Sequence, residues 1–385
     1  MRLVRIEELR AGDRLGRDIF ARPEALPLLR AGIRVSDGYK RSLVRSGITA
    51  VWIDDGLSAG IEPIEMVAEA TKQKARGAIA DALREASETL ATGGTLSRDT
   101  VRDMRGVAEL IVGDVEQNVH SALALSDLAN ADSYTLKHSL AVTTLGLVLG
   151  SRVMRKYGWT DGDGHRRFDG IEDRLLELGV GLLLHDIGKL AVPPEILRKP
   201  GPLTGEEWTA MRAHPTLGFE ILSKADGISL LSRAVVRSHH ERWLGNGYPD
   251  GLAGTAIHLF ARIAAVADVF DALTSDRHYR KAMPLREAYD FVVDRADRDF
   301  DREVVSVFQS SVAPYPPGTP VRLSDGRGGL VQEVQLGDVI SPIIRVVVNA
   351  AGELIPPQVV DLSTAVDLTI VSTEVEIPAE VPLPH

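Results

Sequence analysis

The stretch "LLLHDIGKLAVP", residues 182–193, limits what this chain can fold into more than any other. Three leucines headed for a core run directly into His185 and Asp186, with Lys189 three positions further on. An ionised carboxylate carried into apolar surroundings costs several kcal/mol unless something pairs it. "RIAAVADVFDALTSDR" poses the same problem, because Ile263, Ala264, Ala265, Val266 and Ala267 lead into Asp268. Whatever core this chain builds must bring compensating groups to both acids.

The candidate compensating groups are histidines. Ten occur, and five of them sit in helical, partly apolar contexts: His138 in "YTLKHSLAV", His185, His214 in "MRAHPTLG", and His239 and His240 in "VVRSHHERW". Singly, each reading is weak. A histidine such as His214 is more often a satisfied core or surface residue than a ligand, and adjacent residues lie about 100° apart on a helix, so one of His239 and His240 can simply face solvent. Asp268 alone could cap a neighbouring helix or pair with an arginine. As a set, five imidazoles and two carboxylates fill two metal coordination spheres, with Asp186 bridging and open positions left for water. The chain has no cysteine, so nitrogen and oxygen must hold any metal. His120, His165, His258, His278 and His385 read as structural or solvent-facing.

The surrounding sequence divides into four parts. Residues 1–61 read as a small α/β N-terminal domain, with "LVRIEEL" and "AVWID" as strands and "DGYKRSLVRSG" as a helix closed by Gly47. Residues 62–92, rich in Ala, Glu, Lys and Arg, read as a linker helix ended by "ATGGT". Residues 93–312 carry helical periodicity, interrupted by a polar loop over 155–172. After "APYPPGTP", residues 313–385 break into strand-like pieces separated by Asp-Gly, Gly-Gly and Ala-Gly turns, a small β C-terminal unit. The fold class is therefore mainly α, with a helical bundle in the middle. A net charge of -10 argues against DNA, RNA or an anionic membrane as partner. No apolar window reaches the ~18 residues of a membrane span and no secretory signal opens the chain, so a cytoplasmic location is the default expectation.

At this point the motifs carry a resemblance. "HDIGK", "VP", "IL", "KPG" and "MRAHP", then "HHERWLGNGYPDGL" and "ARIAAVADVFDALTSDRHYRKA", follow one another as in the HD-GYP family, over residues 130–312. The chain resembles these HD-superfamily proteins, known as cyclic di-GMP phosphodiesterases. The resemblance implies an HD-type bundle holding two divalent metal ions, iron or manganese. His138, His185, Asp186 and Asp268 would hold one, and Asp186, His214, His239 and His240 the other. Some members hold a third metal through a glutamate four residues before the first histidine. Tyr134 stands there, so two are expected. The family also commonly has an acid where this chain has Leu244.

The activity so implied is hydrolysis of cyclic di-GMP to pGpG, and on to GMP, by a hydroxide bridging the two metals. Asp186 and Lys189 are the catalytic candidates, with Lys189 adding positive charge at the phosphate. Lys189, Gly247, Tyr248, Arg277 and Arg280 are the substrate-binding candidates. The two arginines would supply the cations that a dianionic substrate needs on an acidic protein, and Tyr248 an aromatic face for guanine. The rival readings are a receptor that binds cyclic di-GMP without turnover, a hydrolase of another cyclic dinucleotide, and a di-iron site that activates oxygen. The N-terminal unit and its helix could sense, form a homodimer or cover a surface, and the sequence does not choose between them.

Overall fold

The computed structural model describes residues 1–19, 27–46, 48, 50–62, 65–90, 94–123, 134–275, 281–365, 367–373, 375 and 377. The chain forms two compact units. The first gathers residues 1–65, 120–132 and 310–385, and the second residues 66–119 and 133–309.

The first unit opens with β1 (Arg2–Arg5), which pairs antiparallel with β2 (Ala50–Ile53) so that Leu3 lies opposite Trp52. Between them runs α1 (Asp37–Arg45). The Ser36 side chain accepts from the Tyr39 amide at its start, and Asp37 and Arg45 complement the two ends of its dipole. These are the two strands and the helix that the sequence predicts. Val4, Leu9, Leu15, Val35, Leu43 and Val51 close a core over them.

The second unit is helical. Its helices are α2 (Glu69–Leu90), α3 (Arg98–Gln117), α4 (Tyr134–Tyr157), α5 (Ile171–Leu183), α6 (Pro194–Leu197), α7 (Gly205–Arg212), α8 (His214–Ser223), α9 (Leu230–Ser238), α10 (Leu259–Thr274), α11 (Leu285–Val293) and α12 (Arg302–Ser311), the last ending in the first unit. Apolar residues line most of the circumference of α4 and α10, as expected of helices at the centre of a bundle. α4 packs against both α5 and α10, and α9 packs against the same two. α5 begins with Glu172 and Asp173 and is buried from Leu178 to Leu183, so its apolar end drives His185 and Asp186 inward.

Residues 155–172, expected as a loop, hold a short hairpin of β3 (Trp159–Thr160) and β4 (Arg166–Arg167). Side-chain chemistry stabilises it. The Trp159 indole donates to the Asp169 carbonyl at 2.8 Å with the Arg174 guanidinium over its ring, and Asp161 accepts from the amides of Asp163 and His165.

After α12 the chain returns to the first unit as a five-stranded antiparallel sheet of β5 (Pro320–Leu323), β6 (Gly328–Gln335), β7 (Asp338–Val348), β8 (Leu354–Asp361) and β9 (Ile370–Ser372), in the order β8-β7-β6-β5-β9. One face buries Val321, Leu323, Val331, Ile344 and Val346. Leu330, Val347 and Val348 on the other face meet Leu57 and Ile61 of the N-terminal segment, and Arg345 donates to the carbonyls of Leu57 and Ala59. Among the described residues, no helix is long and apolar enough to cross a membrane.

One contact in the second unit sets the position of the opening motif. Residues Ile187–Ala191 form a 3-10 turn packed on α8, and a Cβ on Gly188 would lie 1.9 Å from the His214 carbonyl oxygen and 2.4 Å from the Gly218 nitrogen. Backbone cannot yield as a side chain does, so only glycine fits. Gly188→Ala should lower stability by about 1–3 kcal/mol, whereas Gly205→Ala, where a Cβ meets nothing within 4 Å, should stay within about 0.5 kcal/mol. Calorimetric unfolding of the two variants beside the parent checks this.

Candidate metal centre

Three helix ends and two helix interiors deliver the seven predicted side chains to one place. His138 lies in the second turn of α4, and Asp268 in the middle of α10. His185 and Asp186 follow α5, His214 opens α8, and His239 and His240 follow α9. All but His240 are buried.

Asp186 is the hub. Its Oδ2 lies 3.5 Å from His138 Nε2 and 3.4 Å from His185 Nε2, and it also pairs with the Lys189 ammonium. Its Oδ1 lies 3.4 Å from His214 Nε2 and 3.9 Å from His239 Nε2. Asp268 spans the same two groups, with Oδ1 3.2 Å from His138 Nε2 and Oδ2 3.7 Å from His240 Nδ1. Two clusters of possible metal ligands result, His138–His185–Asp186 and His214–His239–His240.

The hydrogen bonds reveal which nitrogens are bare. The Nδ1 atoms of His185, His214 and His239 lie 2.8–3.1 Å from the carbonyls of Leu182, Met211, Val235 and Val236. A carbonyl only accepts, so each Nδ1 carries the hydrogen and each neutral ring presents a lone pair at Nε2. Burial, reinforced by the neighbouring imidazoles, pushes His239 down to about 3 and holds His214 and His240 below the usual imidazole value. The Nε2 atoms of His214 and His239 therefore face each other bare, 3.3 Å apart. Asp186 Oδ1 beside them is buried with no hydrogen-bond partner. Three acceptors converge on one point with no donor between them. That donor set fits a cation, since two nitrogens bound to one ion at about 2.0–2.1 Å sit at such a separation.

The first cluster differs. Burial opposes a charge on His138, but Asp186, Asp268 and Asp271 overcome it and hold this imidazole well above its usual value. Burial also opposes ionisation of the two acids, yet Lys189 for Asp186 and the His138 hydrogen bond for Asp268 hold both well below the usual carboxylate range. Positive charge is thus favoured at His138, beside the two acids that a cation would serve. His185, pushed below its usual value chiefly by burial, stays neutral.

Two functional residues escaped the sequence reading. Asp271, buried one turn beyond Asp268 on α10, accepts from His138 Nδ1 at 2.6 Å and fixes that ring. Its signal was the three-residue spacing from Asp268. Glu241, also buried, accepts from the amides of Asp250 (2.8 Å) and Leu252 (3.0 Å), and so pins the "GNGYPDG" loop to the residue after His240. In that loop a Cβ on Gly247 would lie 2.4 Å from Glu241 Cα, and Tyr248 stacks on His240 with centroids 4.7 Å apart. Leu244 is exposed. Arg277, Arg280 and the Tyr134 side chain lie outside the described residues.

The fold and site define a helical protein with a buried histidine–aspartate cluster suited to metal ions. A model of the HD domain matches residues 171–304. A cyclic di-GMP phosphodiesterase of Pseudomonas aeruginosa is 34% identical over 346 residues, covering 84% of this chain and 79% of that protein. The cyclic di-GMP phosphodiesterase response regulator RpfG of Xanthomonas campestris pv. campestris is 45% identical over 135 residues, 35% of each chain. A 3'3'-cGAMP-specific phosphodiesterase of Vibrio cholerae serotype O1 is 49% identical over 105 residues, 27% of this chain and 24% of that protein. The chain belongs to the HD-GYP family of HD-domain phosphodiesterases.

The Asp271 contact carries a prediction. To hold a cation His138 must be neutral, with its hydrogen on Nδ1 and a bare Nε2; Asn at position 271 can donate to Nδ1, which would put the hydrogen on Nε2 and close that lone pair. Asp271→Asn should weaken manganese binding 10–100-fold, a loss typical of removing a ligand-orienting partner. Titration calorimetry measures the loss, with circular dichroism showing the fold retained.

Proposed function

We propose that this chain hydrolyses cyclic di-GMP in a reaction that needs two divalent cations, iron or manganese. His138, His185, Asp186 and Asp268 would hold one, and Asp186, His214, His239 and His240 the other. The observation that carries this reading is the convergence of bare His214 Nε2, bare His239 Nε2 and unpartnered Asp186 Oδ1 on one buried point. Bound cations of this kind supply acidification of water and neutralisation of phosphate charge. The imidazole-rich, thiol-free donor set suits iron or manganese better than calcium or magnesium.

The chain's own residues do the rest. Asp186 turns one oxygen to each cluster and so fixes their spacing. Lys189, partly exposed beside Asp186, presents an ammonium to the phosphate undergoing cleavage. Gly247 lets the loop lie against Glu241, which sets Tyr248 on His240 at the edge of the second cluster. Burial pushes the Tyr248 phenol up, so it stays protonated and available as a hydrogen-bond donor. Arg277 and Arg280 complete the proposed cationic contacts to substrate. The first product is linear pGpG, with GMP from a second cut.

The likeness to a 3'3'-cGAMP-specific enzyme favours a second reading, in which the mixed cyclic dinucleotide is the preferred substrate. Anaerobically purified protein, assayed by chromatography with cyclic di-GMP and 3'3'-cGAMP, separates the two by their kcat/KM ratio. Asp186→Ala should lose both bound metal and at least 10³-fold of the turnover, in the range set by removal of a dominant electrostatic contributor. Removing metal with a chelator should abolish hydrolysis reversibly. Binding of cyclic di-GMP without turnover by the metal-loaded protein would overturn the proposal.

A further inference from the structure

The cations around the loop are nearly all committed. Lys189 pairs with Asp186, Arg237 forms a two-pronged pair with Asp250 at 2.8 Å, and Arg242 donates to the carbonyls of His239 and Glu241. Arg212 is different. It is the last residue of α7, two positions before His214, and is exposed, with its guanidinium carbon 5.1 Å from the centroid of the Tyr248 ring. Among the described residues no carboxylate pairs with it. One turn earlier on α7, Trp208 leaves half of its surface exposed. Residues four apart share a helix face, so Trp208 and Arg212 project from the same side of α7. An arginine in a last turn is explained by the helix dipole alone, but a half-exposed tryptophan beside it is not.

A cyclic dinucleotide carries two phosphodiesters and two purines. When one phosphate lies at the histidine–aspartate cluster, the other phosphate and its base must lie outside it. We infer that the Trp208–Arg212 face of α7 is the half-site for the second nucleotide. Arg212 forks the phosphodiester that is not being cleaved, and Trp208 stacks on the adjoining purine. This deepens the proposed function and rests on it.

Steady-state kinetics of the metal-loaded full chain test the half-site with two substrates. One is cyclic di-GMP, and the other is bis(p-nitrophenyl) phosphate, a diester with no second phosphate and no purine. Arg212→Ala should raise KM for cyclic di-GMP about tenfold with kcat within about twofold, the loss of one charge-assisted contact. Its preference for the dinucleotide over the simple diester should fall by a similar factor. Trp208→Ala should lower that preference about five- to tenfold, as loss of a stacking partner does, and Arg212→Lys should recover part of the loss. An unchanged KM in Arg212→Ala overturns the inference, and so does an equal loss on both substrates, which would mark Arg212 as a mere support for Tyr248. If the parent protein cleaves the simple diester but no cyclic dinucleotide, the substrate reading itself fails and the half-site falls with it.

Discussion

The two oxygens of one buried carboxylate organise the second unit. Asp186 faces His138 and His185 with one and His214 and His239 with the other. Four separate stretches of chain must therefore keep their ends within a few ångströms of it. That requirement accounts for the close seat of the 187–191 turn on α8, for α4 and α10 standing at the centre, and for backbone carbonyls that hold three imidazoles in one tautomer. A buried carboxylate that loses its counter-charge costs about 3–5 kcal/mol, so positive charge at this point stabilises the fold as well as serving chemistry.

Much of the centre was legible in the sequence because ionisable residues in apolar helices are too costly to be accidental. Asp186 after Leu182–Leu184 and Asp268 after Ile263–Ala267 announced themselves in this way, and the structure brings the five chosen histidines around them. Other features gave weaker signals. Asp271 lies in the same apolar helix as Asp268, but a second acid one turn on resembles an exposed position until its burial is seen. Glu241 follows two histidines in a polar run, and nothing local shows that its side chain turns inward to two loop amides. Arg212 looks like any basic residue closing a helix.

The terminal segments show a different limit. Local periodicity found β1, α1 and β2, and turn chemistry found the pieces of the C-terminal sheet. The contact of Leu57 and Ile61 with Leu330, Val347 and Val348 joins residues almost 300 positions apart in the chain, and no local pattern encodes such a pairing. The hairpin at 159–167 was missed for the opposite reason. Its strands are two residues long, too short to show alternation, and it is held by an indole, an aspartate and an arginine.

The placement of Glu241 bears on how such an enzyme can change. Its carboxylate ties the 245–251 loop to the very peptide segment that supplies His239 and His240, so remodelling of the loop and disruption of the histidine–aspartate cluster are hard to separate. Variation in that segment is therefore constrained twice over. The proposed half-site on α7 meets that loop through Arg212 over the Tyr248 ring, a contact that a single substitution can remove. If that half-site takes the second nucleotide, ligand preference can diversify there without disturbing the histidine–aspartate cluster.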